Sequence, residues 1–148
     1  MLKEYAKVLR SVLFIADVMI VIVSFVVAHM LVGLFSGVES LSFYLPLVPS
    51  LVLIWGVLMK HFGMYHSFRA RKLTEVMWIV LQSAAWSFLI FCSYIYVAKI
   101  TGISRIFIGA DFLITTLVLL LEKTAIVIMF HHARRKGFNF RRLLIVGS

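Results

Sequence analysis

Three of the six carboxylates in this chain, Asp17, Asp111 and Glu122, interrupt long apolar runs, where a charge is expensive unless it faces a partner. Lys123 follows Glu122 directly, and Gln82 interrupts a further apolar run. Asp17, Gln82, Glu122 and Lys123 each fall about two turns inside the basic end of their run, so they form a candidate layer. Two chemistries fit. Asp17 and Lys123 would pair across the first and fourth runs as a structural intramembrane pair, with Glu122 turned toward a neighbour or the headgroups. Alternatively, the acidic groups would bind a proton or a substrate. Lys123 also has the reach to snorkel. Asp111, Thr115 and Glu122, at offsets of four and eleven, share one face of an ideal helix, which adds Asp111 to a candidate polar layer with Gln82 and Glu122.

The elements that must position these residues are membrane helices. The chain is 63% hydrophobic and 14% charged, with mean hydropathy +1.06, far above a soluble domain. Apolar stretches over about residues 11–35, 43–60, 76–98 and 106–130 are each long enough to cross about 30 Å of hydrocarbon. Leu2, Tyr5 and Leu9 recur at helical spacing among Lys3, Lys7 and Arg10, which predicts an interfacial lead-in before the first span. Pro46 and Pro49 fall in the first turns of the second span, where a missing N–H costs little. The expected fold is an all-α membrane protein: a four-helix transmembrane bundle over residues 1–133, then a basic linker and the first strand of a truncated Rossmann-like cytoplasmic domain over 134–148. That strand is read from RRLLIVGS, a continuous apolar run stopped by glycine.

The fifteen Lys and Arg residues distribute as three before the first span, none, four and two in the successive loops, five after His132, and Lys123 inside the fourth span. The positive-inside rule then puts both termini and the second loop in the cytoplasm. Arg69, Arg71, Lys72, Arg134, Arg135 and Lys136 read as a collar for anionic headgroups. With the basic residues at span ends, the net charge of +9 belongs to orientation and lipid, and nucleic-acid binding is excluded. Cys92 is the single cysteine, so neither an intrachain disulfide nor a cysteine metal cage is available. None of His29, His61, His66, His131 and His132 stands at metal-ligand spacing from a Cys, Asp or Glu. The first apolar run is too long for a signal-peptide core and lacks a small-residue cleavage site.

The order of features resembles the N-terminal membrane region of bacterial polyprenyl-phosphate hexose-1-phosphate transferases, which initiate exopolysaccharide, capsule and O-antigen synthesis. The residues that carry the resemblance are Asp17, the loop GMYHSFRAR from Gly63 to Arg71, Ser104-Arg105, and RRKGFNFRRLLIVGS from Arg134 onward. Lys123 stands where the family commonly has Arg, which keeps the charge and loses the bidentate fork. The resemblance implies a multi-pass protein of the bacterial inner membrane that anchors and oligomerises an enzyme, as a homo-oligomer such as a dimer. The intact enzyme would use magnesium, a nucleotide sugar and polyprenyl phosphate. It assigns no catalytic, cofactor or metal residue to this stretch. The membrane region of a nucleotide-sugar 4,6-dehydratase has a similar start, although His66-Ser67-Phe68-Arg69 departs from its usual second loop. A small four-helix exporter, coupled to protons through Asp17, is the alternative from another class.

Overall fold

The computed structural model describes residues 2–66 and 71–136. The strand expected within residues 141–148 and the collar residue Arg69 lie outside the described residues. Helix α1 (Leu2–Phe35) is followed by the short α2 (Leu41–Tyr44), a 3₁₀ turn (Leu45–Leu47), α3 (Val48–His61), α4 (Leu73–Val97) and α5 (Arg105–Arg135). With α2, the 3₁₀ turn and α3 counted together, four helices are long and apolar enough to cross a membrane. No strand is present among the described residues. The lead-in predicted before the first span is not a separate element, because its apolar spacing continues in phase into the span and α1 runs unbroken from Leu2.

Helix α1 packs on α3 and α5, and α4 packs on the same two helices, so sequence neighbours are neighbours in space and the α1–α5 contact closes the ring. Each helix buries one narrow stripe. On α3 the stripe is Leu51, Trp55 and Met59; on α4 it is Val76, Val80, Ser83, Ser87 and Phe91. The opposite faces are apolar and open, Leu121 and Leu113 being 72% and 63% exposed. An exterior of that kind suits hydrocarbon and would be a liability in water.

On α5 the buried residues Phe107, Asp111, Thr115, Leu119, Lys123 and Val127 recur every four positions. A step of four advances a 3.6-residue helix by about 40°, so the stripe winds about 120° between Asp111 and Lys123. The expectation that Asp111, Thr115 and Glu122 share one face is thereby corrected: Asp111 and Thr115 are buried, while Glu122 stands off the stripe with its side chain 21% exposed.

Both ends of the bundle are capped by local chemistry. At the end away from the basic collar, Ser104 caps α5 by accepting from Phe107 N–H, and its own N–H donates to the Tyr44 hydroxyl at 3.1 Å. The His29 ring lies 5.3 Å from that of Tyr44 and bonds the Glu39 carbonyl through Nε2 at 2.9 Å. At the basic end, α3 stops in a Schellman turn: Met64 N–H reaches the Met59 carbonyl at 2.9 Å, and Gly63 N–H reaches that of Lys60 at 3.1 Å. Gly63 has φ 75°, a conformation that costs a residue with a Cβ about 1–2 kcal/mol.

Candidate functional site

The Schellman turn folds the chain back onto the bundle it has just left. Met64 is fully buried beneath it, and the next residue, Tyr65, points its hydroxyl inward. That hydroxyl donates to Asp17 Oδ2 at 2.5 Å. The other carboxylate oxygen, Oδ1, is paired with Lys123 Nζ. Asp17 lies about 10 Å along α1 from Arg10, and Lys123 about 12 Å along α5 from His131, where the apolar run ends, so the structure brings together charges at comparable depth in the antiparallel helices. Lys123 is fully buried and does not snorkel. Burial first, and then the Asp17 carboxylate, hold the Tyr65 phenol well above its usual pKa, so Tyr65 remains a donor at neutral pH.

Glu122, expected to turn toward a neighbour or the headgroups, reaches the residue next to it on α5. Its Oε2 lies 2.9 Å from Lys123 Nζ, an ion pair. One ammonium is therefore shared by two carboxylates. Gln82 is half-buried on α4. Asp111 lies about three turns from Lys123 and belongs to a different depth, so Gln82, Glu122 and Asp111 do not form one layer. Arg71, Lys72, Arg134, Arg135 and Lys136 stand at the helix ends of the basic end.

Asp111 belongs instead to the level of Phe112, whose ring stacks on Trp55 at 6.0 Å and meets Phe88 and Phe91 at 5.3 and 5.7 Å. Along this stretch Ser83 Oγ, Ser87 Oγ and Trp55 Nε1 are hidden and have no hydrogen-bond partner among the described residues, while the Thr115 hydroxyl lies against the Asp111 carboxylate as a donor. The void beside Asp17 measures about 10 Å³, at most the size of one water. A substrate has no room there, and the carboxylate is already engaged twice. Among the described residues, no three His, Cys, Asp or Glu side chains converge to hold a metal ion. What Asp17, Tyr65, Glu122 and Lys123 can do is clamp α1, α5 and the α3–α4 loop together.

Tyr65 is the site residue that sequence reasoning missed. Its signal is a glycine just beyond the last buried position of α3, followed by an apolar residue and then by a side chain with an apolar body and a polar tip.

A family model described as a CoA-binding domain matches residues 60–148, more than half of the chain. The chain belongs to that family. Domains of this CoA-binding family are found in sugar-phosphate transferases. The match begins at Lys60, so it takes in the Schellman turn, Tyr65, both helices α4 and α5, and Lys123. Within the described part of the match, α4 and α5 pack on the bundle or face outward. No curated protein and no solved structure matches the chain.

Proposed function

We propose that this chain is the membrane-anchoring and oligomerisation region of a bacterial inner-membrane enzyme. The enzyme resembles those that transfer a sugar-1-phosphate from a nucleotide sugar to undecaprenyl phosphate in surface-polysaccharide synthesis. The observation that carries this reading is the family match over residues 60–148, whose domain occurs in sugar-phosphate transferases, laid on a bundle of four helices able to cross a membrane. Both termini and the α3–α4 loop face the cytoplasm, in keeping with the basic residues at that end. The bundle anchors and does not catalyse. The charges buried at its basic end are occupied with one another, and the magnesium chemistry of the intact enzyme belongs to a catalytic part outside these residues. The double engagement of Asp17 also disfavours a proton-coupled exporter that works through that residue.

Membranes carrying the full-length gene product, given labelled nucleotide sugar, undecaprenyl phosphate and magnesium, should form a labelled pyrophosphate-linked lipid and release nucleoside monophosphate. The 148-residue chain alone should form none. Conversion of the nucleotide sugar to a 4-keto-6-deoxy sugar, without lipid product, would instead assign the dehydratase class. For orientation, a phosphatase reporter that works only in the periplasm should be inactive when fused after Ser148; activity there would refute the topology.

A further inference from the structure

The polar groups inside the bundle are packed without room for a ligand, whereas a larger opening lies outside it, at the basic end. A groove of about 510 Å³ runs between α1 and α3, lined by Arg10, Ser11, Phe14, Ile15, Lys60, Tyr65 and His66. Its charged lining is wholly basic. Arg10 closes the first three turns of α1 and Lys60 sits in the last turn of α3, so both cations stand at headgroup depth. Neither makes an ion pair with a carboxylate among the described residues. A methyl group at Gly63 would meet the His66 ring at 3.2 Å and an Arg71 guanidinium nitrogen at 3.3 Å, which puts a further cation beside His66. Arg71 Nη1 is hidden and has no hydrogen-bond partner among the described residues.

Below the cations the lining becomes apolar. Phe14 and Ile15 are 40% and 60% exposed, at a depth where the surroundings are hydrocarbon. One turn further along α1, Met19 and Val23 line a second groove of about 250 Å³ against Ile114 and Val118 of α5. The opening between α1 and α3 is therefore cationic at its mouth and apolar below it, and the apolar groove further along α1 is a separate one on the α5 side. Inorganic anions need only the first feature and neutral lipids only the second.

We infer that this groove seats one anionic phospholipid, its phosphate between Arg10, Lys60 and His66 and one chain over Phe14 and Ile15. The Tyr65 ring forms part of the wall while its hydroxyl holds Asp17, so the bound lipid braces the same loop that the buried charges hold. The seat differs from a diffuse basic collar because it is specific to two cations and requires a chain.

The test is native mass spectrometry on the 148-residue chain, stripped of lipid in detergent and titrated with dioleoylphosphatidylglycerol, dioleoylphosphatidylcholine or inorganic phosphate. One phosphatidylglycerol should bind per chain at concentrations where the other two do not. Arg10→Gln with Lys60→Gln should weaken that binding about tenfold or more. Arg134→Gln with Arg135→Gln removes equal charge at the same end and should change it less than about twofold. Arg10→Lys with Lys60→Arg should retain binding, and Ser11→Glu, which sets a carboxylate in the mouth while leaving both cations, should lose it. Equal losses in the two Gln pairs, phosphatidylcholine binding as tightly as phosphatidylglycerol, or inorganic phosphate binding as tightly as the lipid would each overturn the assignment.

Discussion

Lys123 and Asp111 share one buried stripe of α5, about three turns apart, yet their surroundings are opposite in kind. Around Lys123 each charge has an opposite charge in reach: its one ammonium meets both Asp17 and Glu122, and Tyr65 takes the remaining Asp17 oxygen. Around Asp111 no opposite charge is in reach among the described residues; its carboxylate has only the Thr115 hydroxyl, and the hidden oxygens of Ser83 and Ser87 are left without hydrogen-bond partners among the described residues. The difference separates two uses of polarity in a membrane bundle. At the basic end Asp17, Glu122 and Lys123 are paired, and the Asp17–Lys123 contact fixes α1 against α5. Small hydroxyl residues earn their positions by size, because Ser and Thr let helices approach closely whether or not their hydroxyls are bonded.

The comparison breaks most directly at Lys123. Lys123→Met leaves the Asp17 carboxylate buried beside Glu122 and should destabilise the chain by about 3–5 kcal/mol, read as a lower unfolding temperature in detergent. Adding Asp17→Asn should recover part of that loss; strictly additive effects would show that the contact carries no coupling. Tyr65→Phe removes one hydrogen bond to a carboxylate and should cost about 1.5–3 kcal/mol. It also has a pH signature. The phenol pKa is raised in the fold above its ordinary 10.0, so the proton is held more tightly folded than unfolded. The Tyr65 contribution is then complete below pH 10.0 and is lost as the pH rises above it. Wild type should lose more stability across that range than Tyr65→Phe, and parallel curves would remove the phenol from the clamp.

Gly63→Ala sharpens the same point from the backbone. It should cost about 1–2 kcal/mol through the positive φ alone, and because the turn aims Tyr65, it should reduce the further effect of Tyr65→Phe. At the other depth, Ser83→Ala and Ser87→Ala should each change stability by no more than about 0.6 kcal/mol. A large loss at either of them would mean that the Asp111 region is bonded like the Lys123 region and that the contrast fails.

The four crossing segments are legible in hydropathy because apolar length is a one-dimensional property. The contact of Asp17 with Lys123 is legible for a related reason: depth along antiparallel helices and sign of charge can both be counted from the sequence. The face on which a residue lies is harder to read. A helical wheel with straight faces joins Glu122 to Asp111 and Thr115, whereas the real stripe winds as α5 passes from one neighbour to the next, bringing Lys123 inward. Tyr65 carried no periodic signal at all. It acts from a loop, across 48 positions of sequence from Asp17, and only the backbone of the Gly63 turn sends it there.

The separation of the clamp's parts along the chain has a consequence during synthesis. Asp17 enters the bilayer with the first helix, and Lys123 follows 106 residues later. At roughly 5–20 residues per second the wait is about 5–20 s, during which the first helix carries an acid that has no lysine to meet. Tyr65 emerges after only 48 residues, so it is the earliest of the clamp partners to reach Asp17. The loop that later stands at the mouth of the bundle is thus also the first brace of its assembly, holding α1 against α3 until the last helix arrives.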